Sequence, residues 1–148
     1  MMISRTLSVS IDCPPAKVYG YVINPENLPE WARGLALSVR QAGREWKVGT
    51  VNGPVSLRFA VRNTFGVLDH FITPLRGPEL RVPMRVVPND YGSEVMLTLF
   101  RRAGMSEEAF SRDARAVTKD LKNLKEILEK VRVPAPVRAG AGARGGAE

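Results

Sequence analysis

Seven apolar residues recur near the C-terminal end at alternating spacings of four and three: Phe110, Ala114, Val117, Leu121, Leu124, Leu128 and Val131. That period draws one apolar stripe along a helix of roughly 25 residues, about 38 Å long at 1.5 Å per residue. Ser106 is placed to cap it, and Glu107 and Glu108 in the first turn suit the positive end of the helix dipole. Val133-Pro134-Ala135-Pro136 ends it. A stripe this long must be covered. A coiled coil would cover it, but what precedes it reads as strands and turns, so the expected partner is a sheet.

The strands announce themselves by alternation. Ile3, Leu7, Val9 and Ile11 share one face of the first, against Ser4, Thr6, Ser8 and Ser10 on the other. Asp12-Cys13-Pro14-Pro15 stops that strand and opens a short amphipathic helix carrying Val18, Tyr19, Val22 and Ile23. Asn24-Pro25 breaks it, and Glu26 to Trp31 can form a second brief helix capped by Asn24. Strands are then expected at Leu35–Val39, Glu45–Val51, Val55–Val61, Val67–Thr73, Leu80–Val86 and Glu94–Arg101. Turn formers lie between them, among them Asn52-Gly53 and Asn63-Thr64-Phe65-Gly66. Pro83 lacks an N–H, so its strand is expected at a sheet edge or with a bulge. An exposed strand there would offer a surface for pairing across a homodimer.

The order is thus strand, two short helices, six strands, long helix. In that order, the chain resembles the START-like superfamily of helix-grip proteins, also labelled SRPBCC or polyketide cyclase/dehydrase, which includes the birch-pollen-allergen fold. The resemblance is carried by Pro14-Pro15-Ala16-Lys17-Val18-Tyr19, by Asn24-Pro25-Glu26-Asn27-Leu28-Pro29-Glu30-Trp31 and by the terminal helix. Asn63-Thr64-Phe65-Gly66-Val67-Leu68-Asp69-His70 and Pro83-Met84-Arg85-Val86-Val87-Pro88-Asn89 are similar to a bacterial subset. It covers about residues 3 to 131 and implies an α+β helix-grip fold. In it a seven-stranded curved antiparallel sheet, two short helices and a long C-terminal helix enclose a cavity for a small hydrophobic ligand. The domain is expected over residues 1–132, with 133–148 a disordered Pro/Ala/Gly/Arg tail.

If Asn63 to Gly66 is a tight hairpin, Val61 faces Leu68, Phe59 faces His70 and Leu57 faces Ile72. His70 then points inward between apolar neighbours. Asp69 falls on the outer face beside Ala60, within reach of Arg58 and Arg62. A bulge at Gly66 would swap the faces, but burying a carboxylate costs far more than burying a neutral imidazole. The candidate ligand-binding residues are therefore Trp46, Phe59, Leu68, His70, Ile72 and Met84, with Trp31 either closing a mouth or anchoring the short helices. His70 has three readings: a core histidine satisfied by a nearby carbonyl or hydroxyl, a ligand contact, or a general acid or base. Tyr19 is expected to pack, Asn63 to form a turn, and Cys13 to be a buried or capping thiol. Arg58, Arg62, Arg81 and Arg85 share strand parity with the outer face, which suits solvent, an acidic partner or an anionic membrane.

Composition removes several functions. One cysteine excludes an intramolecular disulfide and a cysteine-rich zinc site. One histidine excludes a multi-histidine metal site and leaves a Ser-His-Asp triad only through His70. No glycine-rich phosphate loop or ligand-spaced carboxylate cluster calls for a nucleotide, cofactor or metal. The net charge of +7 is spread along the chain, and +6 of it remains without the tail's Arg138, Arg144 and Glu148, so nucleic-acid binding is not expected. No apolar run spans a bilayer and the N-terminus lacks a signal-peptide layout, which reads as cytoplasmic. The leading function is a carrier or binding protein for a lipid, isoprenoid or aromatic polyketide-like molecule. The alternatives are a polyketide cyclase or dehydratase using His70 with Trp46, and a regulatory or chaperone-interacting module using a basic sheet face.

Overall fold

A computed structural model describes residues 1–132, so the tail expected at 133–148 lies outside the described residues. Strand β1 (Ser4–Ile11) leads into α1 (Pro15–Val22), a 3-10 turn (Pro25–Asn27) and α2 (Leu28–Trp31). Next come β2 (Ser38–Ala42), β3 (Glu45–Thr50), β4 (Gly53–Phe59), β5 (His70–Pro74), β6 (Leu80–Val82), β7 (Met84–Asn89) and β8 (Gly92–Phe100). Helix α3 (Glu107–Arg132) closes the order. Ser106 Oγ accepts from Ala109 N–H at 3.0 Å and Asn24 Oδ1 from Glu26 N–H at 3.1 Å, so both expected caps form.

All pairings between the strands are antiparallel, in two ladders ordered β1-β8-β7 and β2-β3-β4-β5-β6. They meet at Pro83. Its ring supplies no N–H, the ladder with β5 stops at Val82, and Pro83 O instead accepts from Thr98 N–H at 3.0 Å. Seven expected strands thus become eight, because the segment 80–89 is cut in two and serves both ladders. Pro83 lies between β6, the last strand of the five-stranded ladder, and β7, the last strand of the three-stranded one. Both ladders thus end beside Pro83, at β6 and at β7, in keeping with the edge or bulge expected there.

The register Phe59↔His70 and Leu57↔Ile72 is as expected from the hairpin reading. The strands are shorter, however. Val61 is exposed and β5 begins at His70, because residues 60–69 form a loop organised by Asn63. Asn63 Oδ1 accepts from Phe65 and Val67 N–H while its Nδ2 donates to Val61 and Val67 carbonyls. The loop is tied to α1 by Asn63 N–H donating to Tyr19 Oη at 3.0 Å. Strand β2 starts at Ser38 rather than Leu35, since Ala32 O still accepts from Leu35 and Ala36 N–H after α2.

The stripe of α3 does what its period requires. Phe110, Ala114, Leu121, Leu124 and Leu128 are buried, and the helix rests most closely on β1 and α2. The core beneath it contains Ile11, Val18, Val22, Leu28, Val95 and Leu97. Each fully buried side chain of this size contributes about 1.5–3 kcal/mol, so this one face largely decides the fold.

Gly66 sits where the 60–69 loop crosses β7. Its φ is +73°, and an added Cβ would lie 2.1 Å from Val86 O. Gly43, in the β2–β3 turn, has a similar φ of +66° but open space around it. Gly43→Ala should therefore lose about 1 kcal/mol of stability and Gly66→Ala at least about 3 kcal/mol. Equal losses in urea unfolding would show that the β7 backbone yields freely at this crossing.

Candidate functional site

The concave side of the five-stranded ladder is built from alternate residues of β3 to β6. Trp46 pairs with Leu57 and Leu57 with Ile72, which pairs with Leu80. In the next row Phe59 pairs with His70 and His70 with Val82. Period-two alternation sends all of these to one face, the face of buried Val48 and Leu57. Yet Trp46, Phe59, Ile72, Leu80 and Val82 are only half-buried. They turn inward and keep accessible surface.

Leu68 and Met84, also singled out in the sequence, are fully buried, and Leu68 N–H donates to Met84 O at 2.9 Å. Trp31 is 4% exposed and belongs to the core, where Asn123 Nδ2 donates to its carbonyl at 3.3 Å and ties α2 to α3. Its side chain thus anchors the short helices. Its indole Nε1 is the one buried side-chain nitrogen or oxygen without a hydrogen-bond partner among the described residues.

His70 is buried, its ring centroid 5.3 Å from that of Phe59. Its Nδ1 lies 3.1 Å from Leu68 O. A carbonyl only accepts, so Nδ1 carries the proton and a neutral ring presents its lone pair at Nε2. Burial pushes the imidazole below its ordinary value of 6.5, against upward pulls from the Leu68 carbonyl and the Asp69 carboxylate. The carbonyl contact is the one foreseen for a core histidine. It also leaves an acceptor at Nε2 for a hydroxyl.

Two carboxylates depart from the sequence reading. Asp69 keeps the outer parity expected of it but is 4% exposed. Its partners are not Arg58 and Arg62. Oδ1 accepts from Met84 N–H at 2.9 Å and from Arg85 Nη1, while Oδ2 accepts from Arg81 Nη2 at 3.2 Å. Pro83 O accepts from Thr98 N–H, so the alternation of the strand turns Met84 N–H away from β8 and toward Asp69. Burial alone would raise the Asp69 carboxyl; the Met84 N–H and the two guanidinium groups hold it below its ordinary value. Arg58 instead pairs with Glu79 at 3.3 Å and lies 4.2 Å above the Phe71 ring.

Asp120, which in sequence looks like part of a charged run, is the second. It lies on the stripe of α3 between Val117 and Leu124 and is buried, with Oδ1 accepting from Gly34 N–H at 3.1 Å. Burial raises its carboxyl above the ordinary value, against the Gly34 N–H, Lys119 and Arg33. Its position three residues after Val117 and four before Leu124 was the available signal.

Elsewhere, a polar hollow of about 330 Å³ lies among Ile11, Asp12, Asp90, Tyr91, Lys125 and Glu129. Lys125 Nζ donates to Ser10 O and to Glu129, which also accepts from Asp12 N–H at 2.8 Å. These groups satisfy one another and none belongs to the concave face. Among the described residues no group of three or more metal-ligating side chains occurs, and no helix is long and apolar enough to cross a membrane.

This architecture is the helix-grip fold, a curved antiparallel sheet closed by a long C-terminal helix. Solved structures share it at low identity. The protein XoxI from Bacillus cereus is 20% identical with a TM-score of 0.71, over 88% of this chain and 99% of that one. Ara h 8.0201 is 15% identical with a TM-score of 0.66, over 88% and 99%. The di-domain ARO/CYC BexL from the BE-7585A biosynthetic pathway is 19% identical with a TM-score of 0.69, over 90% of this chain and 48% of that one. No protein-family model matches the sequence, and no curated protein matches it. The START-like resemblance seen in the sequence is thus shared at the level of the fold.

Two outcomes follow. Asp69→Ala should cost about 2 kcal/mol or more, because Met84 N–H is left buried without an acceptor, and Asp69→Asn should cost less. Equal losses in urea unfolding would place the effect in the arginine pairs instead. His70 has a folded-state pKa below 6.5, so the native state binds fewer protons than the unfolded chain just below that pH. Stability is then full above about pH 6.5 and falls as the pH drops toward the folded-state value. The difference in melting temperature between the protein and His70→Gln should shrink across that window, and a constant difference would contradict a buried neutral ring.

Proposed function

We propose that this protein binds or carries a small, mostly apolar molecule on the concave side of its sheet, beneath α3. The observation that carries the reading is the set Trp46, Phe59, Ile72, Leu80 and Val82, which face inward by register yet remain partly accessible. An apolar wall with few polar groups is the usual composition of a small-molecule site. The groups available to orient a ligand are His70 Nε2, an acceptor for a hydroxyl, and Trp31 Nε1, a donor. A lipid, an isoprenoid or an aromatic polyketide-like compound has that balance. BexL, of the same fold, is an ARO/CYC protein of a biosynthetic pathway, which makes the polyketide-like class the first to test.

One observation favours an enzymatic second reading. A neutral imidazole with Nε2 unprotonated can serve as a base, and cyclisation or dehydration of a poly-β-keto chain needs little beyond shape and one proton acceptor. The reading as an interaction module with a basic sheet face draws less support. Arg58, Arg81 and Arg85 are already engaged by Glu79, Asp69 and the Phe71 ring.

Native mass spectrometry of protein purified gently from its host should show a stoichiometric hydrophobic adduct. His70→Ala should bind the released compound about tenfold more weakly, the loss of one hydrogen bond, with the fold intact. Unchanged affinity in His70→Ala would remove His70 from the site, and protein that never carries or accepts such a compound would overturn the proposal.

A further inference from the structure

Three large apolar side chains stand exposed at one end of the five-stranded ladder: Leu37 at 62%, Val51 at 81% and Leu75 at 78%. They belong to three separate loops, before β2, between β3 and β4, and after β5. The register brings those loops together. Ser38 pairs with Gly49, Gly49 with Pro54, and Val55 with Pro74, so Leu75 continues the row beside Pro54. Leu37 lies one residue beyond that row, with its N–H donating to Gly49 O at 2.8 Å, and Val51 lies at the hairpin tip. With strands about 4.8 Å apart, the backbones of the three loops lie within about 15 Å of one another.

The charge of these loops has one sign. Arg33 and Arg76 are both exposed; Arg33 lies beside the buried Asp120 carboxylate, and Glu79, in the last of the three segments, is paired with Arg58. Isolated exposed apolar residues are ordinary, but three on neighbouring tips, flanked by two exposed arginines, form a pattern. Apolar tips that penetrate below the headgroups, with cations at headgroup level, match an anionic bilayer. A protein partner would be better matched by a continuous flat patch than by separated tips.

We infer that this end of the sheet, through Leu37, Val51 and Leu75 with Arg33 and Arg76, docks on anionic lipid membranes. The row beneath the tips on the concave face is Val48, Val55 and Pro74, so docking sets the apolar side of the sheet next to the bilayer. The inference goes beyond the ligand reading and requires no ligand, so either can fail alone.

The test is co-sedimentation of the full chain with phosphatidylcholine vesicles, with and without phosphatidylserine. The protein should sediment with the phosphatidylserine vesicles only, and less so as salt rises. The triple variant Leu37→Ser, Val51→Ser, Leu75→Ser should bind at least about tenfold more weakly. Arg33→Gln with Arg76→Gln should weaken binding and flatten its salt dependence. Near-ultraviolet circular dichroism checks folding, and the single variant Leu75→Glu repeats the test if the triple variant is not folded. Absence of sedimentation with phosphatidylserine vesicles, or undiminished binding by the apolar variants, overturns the inference. So does a dimer in sedimentation equilibrium that the same substitutions dissolve, because the tips would then seat a second copy of the chain.

Discussion

A proline inside a sheet leaves a ladder one donor short, and at Pro83 the rest of the architecture is arranged around that missing N–H. The segment passes from one ladder to the other, and Met84 N–H, directed away from β8, donates to the buried carboxylate of Asp69. Arg81 and Arg85, on either side of Pro83, hold the same carboxylate. A single acid thereby clasps both halves of the segment 80–89 to β5. The Val67↔Arg85 bridge and the bond from Leu68 N–H to Met84 O join the same segments beside it.

The concavity matters because α3 covers only part of it. The helix lies most closely on β1 and α2, where Leu121, Leu124 and Leu128 are sealed. Further across, β3 to β6 present Trp46, Phe59, Ile72, Leu80 and Val82 to the interior without full burial. His70 lies within this face, its Nδ1 committed to Leu68 O and its charge suppressed by burial. Loops at one end of the same ladder carry the exposed Leu37, Val51 and Leu75.

Much of this was legible in the chain itself. The stripe from Phe110 to Leu128, the cap at Ser106, the turn at Asn63 and the pairing of Phe59 with His70 follow from periodicity and local hydrogen-bonding rules. The limits of β2 and β5 did not, since local apolar patterning cannot say where a loop's own hydrogen bonds displace the ladder. Asp69 was read as a surface residue because strand parity reports which face a side chain occupies but not what lies over that face. Asp120 shows the reverse case: its position on the helical stripe was visible, while its charge suggested solvent.

The sequence alone determined the order of one strand, two short helices, a run of strands and a long helix, and the register that pairs Phe59 with His70. These depend on short-range rules: backbone periods of 3.6 and 2, proline's missing donor, and the residues that favour tight turns. Only the tertiary structure decided that the segments on either side of Pro83 serve different ladders, that Asp69 and Asp120 are buried, that Trp31 Nε1 has no hydrogen-bond partner among the described residues, and that Leu37, Val51 and Leu75 gather at one end. Each of those depends on which distant segments meet, and a burial or an unmet hydrogen bond exists only once they have met.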